Sequence, residues 1–309
     1  MKCLICYKSL QDTETHYHSQ CIKKVFAITS MPSLEIDETK LSNYAKQMLE
    51  ANITVTGVQP KLSVWLEANK KHLRFTIVDN KSNFIIKPQS DLYPALPENE
   101  DLCMHLASEF GIQTAKHGLV KLPSGKQAYI TKRFDRDKET KVACEDLCQL
   151  SEILTENKYR GSYEKVGKII RKYSSQPGLD ILHFFQLVLF SFITGNSDMH
   201  LKNFSMIEKN NGFILSPAYD LVSTVLVIKN DEEQLCLTVN GRKNHLAKRD
   251  FNALALNLGL TEKQTTNLYT SLIRKEKKLI DWVEQSFIPV EQKLQLKALI
   301  THRIAIFNP

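Results

Sequence analysis

The pattern of apolar and polar positions changes character about midway along the chain. Up to residue 135, short apolar or alternating runs bounded by turn residues predict β-strands. These runs cover Leu62–Leu66, Leu73–Val78, Asn83–Lys87, Gly118–Lys121 and Gln127–Arg133. A single helix, opening at Pro94–Pro97, interrupts them, with Glu98 and Glu100 near its positive N-terminal end.

From residue 136 onward, apolar residues recur at three- and four-residue spacing, which is typical of helices packed against a core. The predicted helices are Glu145–Thr155, Tyr163–Tyr173, Leu179–Gly195, Leu246–Leu258, Thr261–Gln285 and Val290–Phe307. The chain is therefore predicted to have an α+β fold with two lobes. The β-rich N-terminal lobe comprises residues 1–135, and the all-helical C-terminal lobe comprises residues 136–309.

The composition of the chain indicates the cellular compartment and the kinds of partner that it suits. The 309 residues are 42% hydrophobic, and no uninterrupted apolar run approaches the roughly 18 residues of a membrane span. Seven scattered cysteines, an odd number, favour a reducing cytosol over a disulfide framework. The net charge of +7 suits phosphate binding but is too mild to indicate nucleic acid. We expect a cytoplasmic protein that contacts neither membrane nor nucleic acid directly.

The N-terminus carries a possible metal site. Cys3, Cys6, His18 and Cys21 form a Cys-x2-Cys and His-x2-Cys arrangement, with His16 as a spare. These ligand types would satisfy tetrahedral Zn²⁺. The alternative is a tail of free thiols, because the segment runs directly into Lys23–Phe26 without an independent small fold. The sequence leaves both interpretations open.

Two segments of the C-terminal half carry the strongest chemical pattern. Residues 195–203 read Gly-Asn-Ser-Asp-Met-His-Leu-Lys-Asn, and Ser-Pro-Ala-Tyr-Asp follows at 216–220. A carboxylate, an Asn five positions on and a second carboxylate are the layout of kinase-type phosphotransferases. Asp198 is then the base that orients the attacking hydroxyl. Asn203 and Asp220 hold Mg²⁺.

Further residues complete this predicted site. His200 braces the catalytic loop, and Lys202 neutralises charge on the transferred phosphoryl group. Lys87, at the end of a strand, is the candidate to grip the α- and β-phosphates of ATP. Its partner is either Glu100 or Glu98, since both also fit as acids at a helix N-terminus.

Thr54–Lys61 occupies the place of a phosphate-covering loop. It contains one glycine, Gly57, whereas kinase loops of this type usually carry three. Thr54 and Thr56 occupy alternate positions, which fits β-branched residues of a strand. In a second interpretation their hydroxyls contact phosphate or are themselves phosphorylated as switch residues.

Taken together, the motifs resemble the HipA family of bacterial toxin Ser/Thr kinases. The matching stretches, in order, are TVTGVQPK (54–61), FIIKP (84–88), PENE (97–100), KRFDR (132–136), EDLCQ (145–149), GNSDMHLKNFS (195–205), LSPAYDL (215–221) and LTVNG (237–241). The resemblance implies a bilobal protein-kinase-like fold that uses ATP and Mg²⁺.

The resemblance also assigns residues. It gives Asp198 the catalytic role and Asn203 and Asp220 the metal. The nucleotide would contact the phosphate loop through Thr54, Val55, Thr56, Gly57 and Lys61. Adenine and ribose would meet Lys132, Arg133, Phe134 and Asp135. Thr54 falls where HipA-like kinases carry a self-phosphorylated Ser whose loop, once ejected, disables ATP binding.

Partners follow from the same resemblance. Little sequence precedes Thr54, so the chain resembles the short HipT form, in which a small HipS-like subunit supplies the N-terminal subdomain. A HipB-like DNA-binding protein would be a second antitoxin partner. The family's protein substrates are aminoacyl-tRNA synthetases. Both hydroxyls of the loop are Thr, a departure that leaves the site of self-phosphorylation open between Thr54 and Thr56.

Two other functions are compatible with parts of the sequence. A small-molecule kinase of the aminoglycoside or lipid type would use the same Asp-x4-Asn pattern and metal-binding Asp. A non-catalytic DNA-associated protein would be built around the N-terminal Cys/His cluster and the basic charge. Transfer of label from ATP to protein, and its dependence on Asp198, would separate the three.

Overall fold

The computed structural model describes residues 1–11, 14–34, 61–68, 73–78, 82–90, 92–137, 140–228 and 232–308. The predicted phosphate-loop residues Thr54, Val55, Thr56 and Gly57 lie outside these described residues. The chain divides into two compact units. The N-terminal unit comprises Met1–Asp101, Ala115–Lys141 and Gln285–Ile288, and the C-terminal unit comprises Leu102–Thr114, Val142–Glu284 and Pro289–Pro309.

A five-stranded antiparallel sheet forms the centre of the N-terminal unit. Its strands are β1 (Leu62–Ala68), β2 (Leu73–Ile77), β3 (Phe84–Lys87), β4 (His117–Lys121) and β5 (Gln127–Lys132), in the order β2-β1-β3-β5-β4. All five predicted strands are confirmed, with ends that differ by one or two residues. Two short strands, β6 (Arg136–Asp137) and β7 (Thr140–Lys141), pair separately.

One face of this sheet packs against helix α1 (Ser19–Phe26). Phe26 of the helix contacts Phe75 and Phe84 at ring-centroid distances of 5.9 and 5.5 Å. Val64 and Ile86, fully buried, extend the same apolar core. Burial of large side chains of this kind contributes about 1.5–3 kcal/mol each. A second helix, α2 (Leu96–Phe110), begins in this unit at the predicted place.

Helices dominate the C-terminal unit. They are α3 (Leu147–Leu150), α4 (Tyr163–Tyr173), α5 (Pro177–Thr194), α6 (Lys248–Asn257), α7 (Glu262–Gln285) and α8 (Val290–Ala305). Every residue of α5 from Phe184 to Thr194 is buried. This helix has the length and composition to cross a membrane, but 72% of it is buried inside the protein, as in a core helix.

The C-terminal unit is not purely helical, and this corrects one part of the prediction. Strands β8 (Cys144–Asp146), β9 (Ser205–Lys209) and β10 (Gly212–Leu215) form an antiparallel sheet in the order β10-β9-β8. The helix predicted over Glu145–Thr155 is accordingly wrong at both ends. Its first residues pair with β9, and Glu152 adopts a left-handed φ of 56° that ends the helical turn.

Candidate active site

The loop that carries Asp198 starts at the end of α5. Gly195 ends the helix with φ of 70° and donates its amide to the carbonyls of Phe192 and Ser191. A Cβ at this position would lie 2.8 Å from Leu299 and 2.9 Å from Val225, so no larger residue fits without displacement. The sequence thereby fixes the point at which the chain leaves the helix.

Hydrogen bonds then hold the loop in one conformation. The amide of Ser197 donates to Oγ1 of Thr224 at 2.9 Å, and this hydroxyl donates to the carbonyl of Gly195 at 2.9 Å. The Asp198 amide donates to Oδ1 of Asn196 at 3.0 Å, and the His200 amide donates to the Asp198 carbonyl at 2.9 Å. A carboxylate presented on such a backbone is preorganised.

Tyr159 is a site residue that the sequence did not reveal. Its hydroxyl donates to Oδ1 of Asp198 at 2.7 Å. The ring of His200 meets the Tyr159 ring edge-on, with centroids 5.0 Å apart. Tyr159 precedes Asp198 by 39 residues and belongs to no motif, so only the tertiary contact identifies it.

His200 is placed to brace this loop and is held neutral. Burial lowers the pKa of His200 to about 4, and the positive charges of Lys158 and Lys202 add to this effect against the attraction of Asp220. Its Nδ1 is buried without a hydrogen-bond partner among the described residues. A neutral imidazole with this pKa is suited to packing rather than to donating a proton at neutral pH.

Asn203 and Asp220 lie side by side, as the metal-site prediction requires. Nδ2 of Asn203 is 3.5 Å from Oδ2 of Asp220. Within the part of the chain that the structure describes, Oδ1 of Asn203 is buried and has no partner. An orphaned amide oxygen beside a carboxylate fits a hard divalent cation such as Mg²⁺.

Tyr219 ties the two metal-site segments together. Its hydroxyl donates to the carbonyl of Lys202 at 2.8 Å and accepts from Oγ of Ser205 at 2.6 Å. Asp220 itself has a left-handed φ of 58°, which turns the chain directly after this anchor. Tyr219, the residue before Asp220, therefore anchors this segment to the one that contains Asn203.

The predicted role of Lys202 is the least supported by its surroundings. Its Nζ lies 4.0 Å from Oδ2 of Asp146, and 38% of its side chain is exposed. Asp146 also caps α3 by accepting from the amide of Gln149 at 2.9 Å. A half-exposed pair at this distance is weak, so Lys202 can leave Asp146 at little energetic cost.

The N-terminal unit resolves the alternative for the partner of Lys87. Nζ of Lys87 lies 2.8 Å from Oε1 of Glu100, and both side chains are buried. Glu98, two residues earlier, has a buried Oε2 without a partner in the described chain. Glu100 is therefore the partner. Lys87 also lies over the ring of Tyr129, its neighbour across β3 and β5, at 5.7 Å.

A second buried acid follows Glu100 directly. Asp101 accepts hydrogen bonds from the Tyr7 hydroxyl and from Nδ1 of His117, each at 2.6 Å. These bonds fix the first turns of α2 against the N-terminal segment and β4. No local sequence pattern indicates this contact, because Tyr7 precedes Asp101 by 94 residues.

The segment predicted to meet adenine and ribose contains an internal ion pair. Arg133 contacts both carboxylate oxygens of Asp135, at 3.0 and 2.7 Å, and Arg136 contacts Oδ2 at 2.5 Å. Burial raises the pKa of Asp135, but the hydrogen bonds and charge of Arg133 and the charge of Arg136 outweigh it and lower the pKa. Lys132 ends β5, and Phe134 is half-buried.

The structure thus places the predicted residues in two groups. Asp198, His200, Asn203 and Asp220 belong to the C-terminal unit, and Lys87 with Glu100 belongs to the N-terminal unit. Lys61, exposed just before β1, is the described residue of the predicted phosphate loop.

The family model of the HipA-like C-terminal domain matches residues 53–280. The chain belongs to this family. The match spans most of the chain and includes every candidate residue of both groups. The predicted family resemblance is confirmed.

Named relatives agree with this assignment. A relative from Haemophilus influenzae, called "Putative kinase", is 27% identical over 85% of this chain and 84% of its own length. A relative from Sinorhizobium fredii, called "Putative kinase Y4dM", is 34% identical over 68% of this chain and 54% of its own length. The Ser/Thr-protein kinase toxin HipA of Shewanella oneidensis is 27% identical over 72% of this chain. The chain spans 54% and 55% of the last two relatives.

Solved structures confirm the fold. HipA of Shewanella oneidensis, in complex with HipB and operator DNA, aligns with a TM-score of 0.68 and 22% identity, over 82% of this chain and 64% of that one. The Helicobacter pylori proinflammatory kinase CtkA aligns with a TM-score of 0.54 and 12% identity, over 80% and 95%. At these identities the likeness shows an α+β, protein-kinase-like fold.

Proposed function

We propose that this HipA-like protein is an ATP-dependent kinase that phosphorylates Ser or Thr hydroxyls of a protein. The observation that carries the proposal is the Asn203–Asp220 pair, with its orphaned buried oxygen, in the same unit as the hydrogen-bonded Asp198. Phosphoryl transfer needs positioning and charge neutralisation more than covalent help from the protein, and these side chains are of the types that it uses.

Each residue has one task in this proposal. Mg²⁺-ATP, when bound, supplies the γ-phosphoryl group and the counter-charge for it. Asn203 and Asp220 hold the cation through their side-chain oxygens. Asp198, oriented by Tyr159, accepts the hydroxyl proton of the substrate at its carboxylate. Neutral His200 keeps the loop packed and excludes water from it.

The N-terminal unit completes the binding of the nucleotide. Lys87, fixed by Glu100, grips the α- and β-phosphates, and Lys202 adds positive charge at the γ-phosphoryl group. The phosphate loop of Thr54, Val55, Thr56, Gly57 and Lys61 covers the phosphates, and Lys132–Asp135 meets adenine and ribose.

The biological setting is the toxin side of a toxin–antitoxin pair. In Shewanella oneidensis, HipA forms a complex with HipB and operator DNA. By family membership we assign a HipB-like DNA-binding antitoxin and a small HipS-like subunit as partners, and an aminoacyl-tRNA synthetase as substrate. The protein acts in the cytoplasm and phosphorylates itself at Thr54 or Thr56.

Purified protein incubated with γ-labelled ATP and a bacterial lysate tests the proposal. We expect a labelled protein band with the wild type and none with Asp198→Asn, which keeps the shape of the side chain and removes its charge. Label confined to small molecules would favour the aminoglycoside or lipid kinase type instead. Equal labelling by wild type and Asp198→Asn would refute the proposed catalytic base.

Growth measurements test the toxin assignment separately. Expression of the wild type alone should arrest growth, and Asp198→Asn should not. Mass spectrometry of the purified protein should find phosphate on Thr54 or Thr56 only in the wild type. Growth that is unaffected by an active enzyme would contradict the toxin role while leaving the kinase activity standing.

A further inference from the structure

Four potential metal ligands converge at the N-terminus, in the N-terminal unit. The side-chain ligand atoms of Cys3, Cys6, His18 and Cys21 all lie within 4.8 Å of one another. Nδ1 of His18 is 3.3 Å from the Cys6 sulfur and 3.8 Å from the Cys21 sulfur. We propose that these four residues bind one structural Zn²⁺ ion.

The distances match the requirement of such a centre. With Zn–S bonds of about 2.3 Å and a Zn–N bond of about 2.05 Å, tetrahedral geometry places sulfur and nitrogen about 3.6 Å apart. The two observed sulfur–nitrogen distances lie on either side of this value. Three thiolates and one imidazole are a common ligand set of structural zinc sites, and four protein ligands leave no position for a substrate.

Two separate local structures present the ligands in pairs. Cys3 and Cys6 lie in a tight turn that two backbone hydrogen bonds of 2.9 Å close. The Tyr7 amide donates to the Cys3 carbonyl, and the Cys3 amide donates to the Lys8 carbonyl. His18 is the N-cap of α1, and Cys21, three residues on, lies above the same side of its first turn. The geometry of each pair is set by its own backbone.

The surroundings of His18 favour metal binding through Nδ1. Its other nitrogen, Nε2, lies 3.1 Å from the carbonyl of Ser9 and 3.7 Å from a carboxylate oxygen of Glu14. A proton on Nε2 satisfies these acceptors and leaves the Nδ1 lone pair directed at the three sulfurs. The His18 amide also donates to the Cys3 sulfur at 3.5 Å, which compensates thiolate charge.

A zinc ion here would fasten the N-terminal segment to the sheet. Leu4 accepts a hydrogen bond from the Leu119 amide of β4 at 3.1 Å, and Ile5 packs so closely on Gly118 that an added Cβ would lie 3.0 Å from it. Tyr7, next to the Cys3–Cys6 turn, reaches Asp101, whose neighbour Glu100 holds Lys87. The ion therefore stabilises the element that positions the predicted phosphate-binding Lys.

Metal analysis of untagged protein, purified under reducing conditions without added metal, tests this proposal. We expect about one zinc per chain, with three sulfur and one nitrogen neighbours by X-ray absorption. Cys21→Ser and His18→Ala should each lower zinc content at least about tenfold. The matched controls His16→Ala and Cys144→Ser, outside the cluster, should retain it. Wild-type protein without zinc, or controls that lose it equally, would overturn the assignment.

Two measurements keep the test independent of folding and of catalysis. If Cys21→Ser fails to fold, Co²⁺ added to metal-stripped wild type should give the thiolate–cobalt absorption of a tetrahedral centre, and its absence would refute the site. Asp220→Asn should keep its full zinc content, because the proposed Mg²⁺ ligands are separate residues. A zinc-loaded protein without kinase activity would refute the proposed function alone.

Discussion

The hydroxyl of Tyr159 donates a 2.7 Å hydrogen bond to Oδ1 of Asp198, the residue proposed as the catalytic base. This bond holds the carboxylate in one orientation, and no motif in the sequence predicts it. A hydrogen bond to a charged group contributes about 1.5–3 kcal/mol, with the lower end expected here because Tyr159 is 41% exposed.

Tyr159→Phe should therefore lower kcat about tenfold. The KM for ATP should stay unchanged, since Tyr159 contacts the base and not the nucleotide-binding residues. Steady-state kinetics measures both, with Tyr173→Phe, a half-exposed Tyr of the same unit, as the control. Full activity of Tyr159→Phe would show that Asp198 needs no such orientation.

Asp220 is best tested by Asn rather than Ala. Its φ of 58° lies in the left-handed region, which Asn tolerates and Ala does not, so Asp220→Asn removes the charge without adding strain. Phosphotransfer should fall at least about a hundredfold, because the neutral amide oxygen of Asn binds Mg²⁺ more weakly than the carboxylate that it replaces. A Mg²⁺ titration of activity is the measurement, and Asp281→Asn on an exposed face of α7 is the control. Unchanged Mg²⁺ dependence would contradict the metal assignment.

Because Glu100 pairs with Lys87, we expect substitution of Glu100 and of its neighbour Glu98 to change stability by different amounts. Glu100→Gln leaves the buried ammonium of Lys87 without its counter-charge and should destabilise the protein by about 3 kcal/mol. Glu98→Gln should be neutral or slightly stabilising, because burial raises the pKa of Glu98 and disfavours its charged form. Denaturant unfolding of both variants measures the difference. Equal destabilisation would mean that Glu98 shares the pairing.

The lowered pKa of His200 should make the free energy of unfolding of the protein depend on pH. Its folded pKa is lowered from 6.5 to about 4. Between these values the unfolded chain binds a proton that the folded chain does not, so stability falls as pH drops from 6.5 towards 4. Above pH 6.5 the residue is neutral in both states and contributes no slope. Titration of His200 should lower the free energy of unfolding by at most about 3 kcal/mol.

The variant His200→Phe keeps an aromatic ring against Tyr159 and removes the titration. Unfolding free energies of both proteins at pH 7 and pH 4.5 measure the effect, and titrations elsewhere cancel in the comparison. The wild type should lose more stability than the variant over this interval. Equal losses would place the folded pKa of His200 near its ordinary value.

Local patterns in the sequence were sufficient for most of the elements. Alternation and helical spacing located the five strands of the N-terminal sheet and helices such as α5, because each depends on contacts within a few residues. They failed at residues 144–146, where pairing with Ser205–Ile207 overrides a local pattern that also suits a helix. The types and spacing of Asp198, Asn203 and Asp220 likewise predict the chemistry of a phosphotransferase, and the variants above test that prediction.

The sequence by itself thus determined the fold class, the family and the kinds of side chain available for chemistry. Only the tertiary structure decided which of two acids binds Lys87, that Tyr159 holds Asp198, and that His18, not His16, faces the three sulfurs. The first two contacts join residues 13 and 39 positions apart in the chain, and the third joins the Cys3–Cys6 turn to α1, so packing and register decide them. The periodicity of apolar residues indicates which side of a helix or strand is buried, but it does not indicate which residues that side contacts.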